Sequence, residues 1–206
     1  MNELILLGAG GHTRACIDVI ELEGKFKIAG LVNKSGNDEY VDYGYPILGN
    51  DSDLGALRKK YKYAFVSIGQ IKTPEPRMHL FKCINEYGYS TPVIVSPKAY
   101  VSKTAEIGPG SIIMHGAVVN AHARIGDNCI VNNLALIEHD TVIHNHCHIS
   151  TSAVLNGGVE VNEGTFVGSG TVIKQGVQIS KGSIIAMGMI VKEDVEHGQV
   201  IVGYSK

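Results

Sequence analysis

Seventeen consecutive six-residue units run from Val95 to Val195, each opened by an aliphatic residue, and the register never slips. The openers include Val119, Ile125, Val131, Ile137, Ile143, Ile149 and Leu155, and the fifth position of each unit is small or medium-sized, as at Ala117, Ala123, Cys129, Ala135 and Thr141. A six-residue period with Gly and Asn at many turn positions specifies a parallel β-helix of short strands wound into stacked triangular coils. Three hexads make one coil, so residues eighteen apart stack along one face. First positions point inward and fifth positions largely so, which leaves the others at corners or outside.

Residues 1–90 follow another pattern. Leu4 to Leu7 reads as a buried strand, Gly8-Ala9-Gly10-Gly11-His12 as a turn, and Thr13 to Leu22 as an amphipathic helix. A second strand is expected at Ile28 to Val32, a helix at Asp51 to Lys60, a strand at Tyr63 to Ile68 and a last helix at Pro74 to Tyr87. Alternating strand and helix predicts a small parallel sheet of the nucleotide-binding kind. The expected fold is therefore α/β plus all-β: a Rossmann-like domain over residues 1–90, then a left-handed parallel β-helix over 91–206.

The glycine loop invites a phosphate, because backbone amides at a helix N-terminus attract anions. The dinucleotide pattern is incomplete, however. Thr13 stands where the third glycine would be, and Asn33 and Lys34 end the second strand without a ribose-binding carboxylate. A redox cofactor is not expected. A nucleotide or sugar-nucleotide fits, and so does a tight turn with no ligand.

The formal charge of −2 gives no pointer to nucleic acid or an acidic membrane surface. No apolar run reaches the roughly 18 residues of a membrane span. The opening MNELILLGAGGH lacks the cationic start and cleavage site of a signal peptide, so a cytoplasmic protein is expected. The four cysteines show neither zinc nor disulfide spacing. Cys129 and Cys147 are read as stacked core residues in a reducing compartment.

Chemistry concentrates between Asn132 and Gly158, where His139, His144, His146 and His148 occur within ten residues. Glu138 and Asp140 flank His139, and a carboxylate beside a histidine fixes its tautomer and raises its basicity. His139 is thus either a general base or a solvated surface residue. His144 and His146 are assigned to surface or intersubunit hydrogen bonds. A metal shared by His139 and His144 would need a third histidine two coils earlier. That position is Lys103, so no metal is expected.

The chain resembles bacterial sialic acid O-acetyltransferases and the related nucleotide-amino-sugar N-acetyltransferases of glycan biosynthesis. The resemblance spans essentially the whole chain and rests on LGAGGHTRACIDVI, YPILGND, VSIGQIKTPEPR, LIEHDTVI, HISTSAVLNGGVEV and GTFVGSGTVI. It implies acetyl-CoA in a groove between two β-helices of a homotrimer, with direct transfer to a sugar brought by the N-terminal domain. His139 would be the general base and Asp140 the residue that increases its basicity. His148, Ser169 and Met187, with Gly170 and Gly188 beside the last two, match acetyl-CoA-contacting positions. Gly10, Gly11 and His12 match the loop that touches the sugar or its nucleotide, and Asn33 falls at the substrate-binding end of the second strand. Asn33 and Lys34 depart from the acidic residue of the N-acetyltransferase branch. With LIEH and STSAVLNG, this leans the acceptor towards a sialic acid and O-transfer. N-transfer to a nucleotide-linked amino sugar is the alternative, and a non-catalytic trimeric scaffold is a third reading.

Overall fold

A computed structural model describes residues 1–34 and 44–203. The first unit is a four-stranded parallel sheet of β1 (Asn2–Leu7), β2 (Phe26–Val32), β3 (Ile47–Gly49) and β4 (Tyr63–Val66), in the order β3-β2-β1-β4. The helices are α1 (Gly11–Glu23), α2 (Leu54–Leu57) and α3 (Glu75–Glu86). The continuous apolar run of β1, Leu4 to Leu7, is wholly buried, as a parallel strand covered on both faces requires.

Three local expectations shift. Strand β3 was not foreseen. The helix expected over Asp51 to Lys60 shrinks to a 3₁₀ turn at Asp51–Asp53 and the single turn of α2, because Asn50 and Asp53 cap each other and hold the tighter geometry. Strand β4 stops at Val66, short of Ile68, and α3 starts at Glu75, where Pro76 needs no helical hydrogen bond.

From Ile94 onward the chain forms two-residue strands on three parallel faces. The first face has seven strands, among them Ile112–Ile113, Ile130–Val131, His148–Ile149 and Phe166–Val167. The second has six, among them Val118–Val119, Leu136–Ile137 and Val172–Ile173, and the third has five, among them Arg124–Ile125 and Val142–Ile143. Inward first and fifth positions merge into one core from Ile113 to Val195. Every fully buried Val, Leu or Ile side chain there contributes about 1.5–3 kcal/mol.

From Gly110 to Gly188 the fourth positions of the hexads sit in the left-handed backbone region. Glycine fills most of them, but six successive ones are His122, Asn128, Leu134, Asp140, His146 and Ser152. L-residues adopt this conformation at a cost, and such positions gather at functional sites. The outer surfaces of the three faces differ sharply. On the first, Ile94, Ile112 and Ile130 are buried under Cys16, Val19 and Ile20 of α1, which seats the N-terminal unit on the β-helix. The third presents Glu106, Arg124, Glu160 and Gln178. The second presents an apolar row, Tyr100, Val118, Leu136, Val154, Val172 and Ile190, that rises to 71 % exposure at Ile190.

Candidate active site

The site residues fall into three groups. The first is the corner between the second and third faces. His139 Nδ1 lies 2.8 Å from Asp140 Oδ2, and both side chains are more than half exposed. Glu138 braces the corner by accepting from Asn120 Nδ2 at 2.9 Å and from the His139 amide at 3.3 Å. The imidazole lies over Gly157 of the next coil, where a Cβ would fall 2.6 Å from His139 Cε1. Glycine at 157 is what makes room for the ring. His144, one strand further, pairs with Glu160 at 2.9 Å, and His146 accepts from Asn128 Nδ2 at 3.0 Å while its ring meets Phe81.

The second group lies where the N-terminal unit meets the first face. His12 and His148 stand with ring centroids 6.4 Å apart, and Phe166 packs edge-on to His148. His148 Nδ1 donates to the Gln70 carbonyl at 2.6 Å, and Asn132 Nδ2 reaches its Nε2 at 3.3 Å. It is only 6 % exposed, although its hexad position alone faces outward. The loop from β4 covers it. Burial lowers the pKa of His12 to about 3, with Arg77 and His148 adding to the effect. His148 falls to about 4, burial and Arg77 outweighing the Gln70 carbonyl, which pulls the other way. Both are neutral imidazoles at neutral pH.

Arg77 is fully buried at this junction. Its guanidinium donates to the carbonyls of Ile68 at 2.5 Å and Asn128 at 2.9 Å, and to Asn128 Oδ1 at 2.7 Å, tying the end of β4 to a β-helix corner. No carboxylate offsets it among the described residues, and burial lowers its pKa to about 10. Nearby, Ser96 Oγ, His115 and Asp18 form a chain with two 2.7 Å links. Ser96 is 1 % exposed and also accepts the Lys98 amide, so this chain is an interdomain clamp and not a nucleophile.

Beside this junction a cavity of about 610 Å³ opens at the C-terminal ends of the strands, lined by Gly8, Gly10, Asn33, Lys34, Asp51 and His79 among others. Ligands of parallel α/β sheets bind at this edge. A Cβ at Gly10 or Gly11 would meet nothing within 4 Å, so the chain's own packing does not demand glycine there. A ligand approaching the α1 amides would. Thr13 also explains the broken glycine pattern: its hydroxyl is buried, accepts from the Gly10 amide at 3.2 Å and bonds to the Ser67 carbonyl at 3.2 Å, locking α1 to the end of β4.

The third group is the corner between the first and second faces. Ser169 and Met187 occupy the same position on successive coils, joined by Gly188 N donating to Ser169 O at 2.8 Å. Gly170 and Gly188 have φ near +70°, and Met187 is 77 % exposed. Ser150 Oγ lies 2.8 Å from Ser169 Oγ. Within one chain, then, His12 and His148 come together, whereas His139 and the Ser169–Met187 corner lie on opposite edges of the apolar second face. Sequence reasoning singled out neither Arg77 nor Gln70 nor Gly157. Arg77 lies inside a quoted motif, but its burial depends on a corner fifty-one residues away.

Among the described residues, no three His, Cys, Asp or Glu side chains converge as a metal-binding set, and no helix is long and apolar enough to cross a membrane. Residues 3–81 match the PglD N-terminal domain family, and residues 104–139 match the bacterial transferase hexapeptide family of six repeats. A search among curated proteins finds no match. Among solved structures, a mutant perosamine N-acetyltransferase from Caulobacter crescentus in complex with CoA and GDP-perosamine is similar at 29 % identity and a TM-score of 0.92, over 98 % of this chain and 94 % of that one. PerB from the same organism, also with CoA and GDP-perosamine, is 30 % identical with a TM-score of 0.88, over 97 % and 93 % of the two chains. The acetyltransferase domain of PglB from Neisseria gonorrhoeae in complex with acetyl coenzyme A is 27 % identical with a TM-score of 0.88, over 97 % and 96 %. On this identity and coverage, the chain belongs to the PglD-like hexapeptide-repeat acetyltransferases.

Proposed function

We propose that this protein transfers the acetyl group of acetyl-CoA to the amino group of a nucleotide-linked amino sugar. The observation that carries the reading is the cavity at the N-terminus of α1, of nucleotide size and lined by Gly8, Lys34 and Gly10, the last two residues along the chain from His12. A free sialic acid would leave most of that cavity unused. The similarity to N-acetyltransferases bound to a GDP-linked amino sugar points the same way. The lean towards O-transfer to a sialic acid is therefore set aside in favour of its alternative.

The chemistry needs no covalent intermediate. The amine nitrogen attacks the thioester carbonyl, its proton passes to His139 Nε2, and the C–S bond breaks to leave the amide and a CoA thiolate, which takes up that proton as the free thiol. Asp140 holds Nδ1–H, so Nε2 carries the free lone pair and the imidazolium is stabilised as it forms. Alignment of amine and thioester supplies much of the remaining rate.

Assembly follows from the apolar second face. Exposed Leu134, a bulky residue held at φ 59°, stands at one edge of this face, and His139 stands at the other. Cyclic packing of three such faces about an axis brings one edge of each copy to the opposite edge of the next. His139 of one copy then meets the Ser169–Met187 corner of its neighbour, with acetyl-CoA in the groove between them. His148 supports the neighbouring acceptor side, with Nε2 the nitrogen whose 3.3 Å bond to Asn132 can be exchanged. A cytoplasmic location is consistent with this reading, in which both substrates are soluble nucleotide derivatives. Thiol release from acetyl-CoA on addition of nucleotide-linked amino sugars tests the reading. Release with free sugars alone would overturn it, and no release with any acceptor would favour the scaffold.

A further inference from the structure

The cavity by α1 has one feature that its glycine loop does not explain. Folds of this kind hold the ribose of a nucleotide through a carboxylate at the end of β2. Here β2 is followed by Asn33 and Lys34. Strand β3 lies beside β2, with Val32 in register with Gly49 and the Asn33 amide donating to Gly49 O at 3.1 Å. The segment that leaves β3 therefore runs alongside the segment that leaves β2.

That segment is Asn50-Asp51-Ser52-Asp53, and its side chains divide their work. Asn50 Oδ1 accepts from the Ser52 amide at 2.9 Å, and Asp53 Oδ2 accepts from the Asn50 amide at 2.8 Å. Asp51 takes no part in this capping, and no side-chain hydrogen bond engages its carboxylate among the described residues. It lines the cavity, as do Lys34 and Gly10. The second acidic residue there, Glu75, is already engaged by Thr73 Oγ1.

We propose that Asp51 reads the ribose diol of the substrate's nucleotide, doing from β3 what related sheets do from β2. The inference rests on the nucleotide-linked reading above. Two vicinal hydroxyls donate to one carboxylate, while Lys34 and the α1 amides face the diphosphate from the same cavity. The site thus selects a ribonucleoside diphosphate, and the sugar beyond the diphosphate extends towards His12.

Calorimetry on the full chain tests this, with UDP, GDP, CDP and ADP and the 2′-deoxy and 3′-deoxy forms of whichever binds. Hydrogen bonds to a charged group predict that removing a hydroxyl weakens binding roughly tenfold or more. Asp51→Asn should weaken the ribonucleotide by a similar factor and make it bind like its deoxy forms, with the melting temperature unchanged. Asp51→Ala provides the same comparison if the amide finds new partners. Retention of the wild-type ribose preference by both variants would overturn the role of Asp51 and leave the nucleotide-linked reading standing. Wild-type protein that binds no nucleoside diphosphate would overturn that reading, and this inference with it.

Discussion

His139 Nδ1 and Asp140 Oδ2 lie 2.8 Å apart, and the contact exists because Asp140 adopts φ 60° at the corner of its coil. Adjacent residues in an extended strand point to opposite sides, so the left-handed turn is what brings the carboxylate back onto the ring. Asparagine and aspartate tolerate this conformation better than most residues. His139→Ala is therefore expected to lower turnover by roughly 10²-fold or more, with acetyl-CoA affinity largely kept. Asp140→Asn should keep the fold and cost less, since it loses the charge but not the turn. Steady-state rates paired with calorimetric binding of acetyl-CoA check both. A His139→Ala enzyme at near wild-type rate would mean that another group removes the proton.

Gly157 gives a subtler test of the same base. A methyl group there would lie 2.7 Å from His139 Nε2, and the atom that must yield is the far end of an exposed side chain. Although Gly157 is buried beneath the ring, Gly157→Ala should hence change stability by less than about 1 kcal/mol, because the nearest atoms to the added methyl all belong to that movable ring. Misplacing a reacting group by about 1 Å can cost 10²-fold, so kcat should fall at least about tenfold. Melting curves beside kcat would show the split; equal losses in both would assign Gly157 to folding alone.

The neutral pair His12 and His148 makes folding sensitive to acid. Both bind a proton less readily when folded, at about 3 and about 4, than at their ordinary value near 6.5. The unfolded chain then carries up to two more protons between these values, so stability rises with pH there. The contribution is complete above about pH 6.5 and is lost as pH falls towards 4, at up to about 2.7 kcal/mol per pH unit. Denaturant midpoints measured across this window should fall steeply, and His148→Gln should roughly halve the slope. A flat profile would place these histidines in water.

The apolar second face predicts its own failure. Leu136→Glu or Val172→Asp sets charge in a row that the proposed trimer buries, and should yield monomers in light scattering where the wild type has the mass of three 22.1 kDa chains. Turnover should fall with the trimer. Mixing refolded His139→Ala and Met187→Asp chains should restore part of the activity, because each shared site can draw its two halves from different copies. A fully active monomer would contradict the shared groove.

Much of this was legible in the sequence, for physical reasons. The hexad period survives as a pattern because every coil solves the same packing problem, so Ile137 and Ala135 announce their inward direction one residue at a time. His139 and Asp140 are adjacent, and their meeting needs only a turn. Arg77, Gln70 and His148 were opaque because their environment is made by contacts between units. Position 148 faces outward in its coil and is buried by a loop seventy-eight residues earlier. Strand β3 was missed because three residues carry too little pattern, and the helix after it was overcalled because capping by Asn50 and Asp53 favours a single tight turn. The lean towards O-transfer read the missing carboxylate at Asn33 without its neighbour Asp51, the residue proposed above for the ribose, which arrives from the adjacent strand.

In the proposed reaction the acetyl group arrives on nitrogen of a nucleotide-linked sugar. Purified protein, acetyl-CoA and a panel of UDP- and GDP-linked amino sugars, free amino sugars and sialic acids, followed by mass spectrometry and NMR of the products, addresses it directly. A product heavier by one acetyl group is expected only among the nucleotide-linked amines, bearing an amide that survives mild base, with equal release of CoA thiol. A base-labile O-acetyl product formed on a sialic acid, with the nucleotide-linked amines untouched, would contradict it.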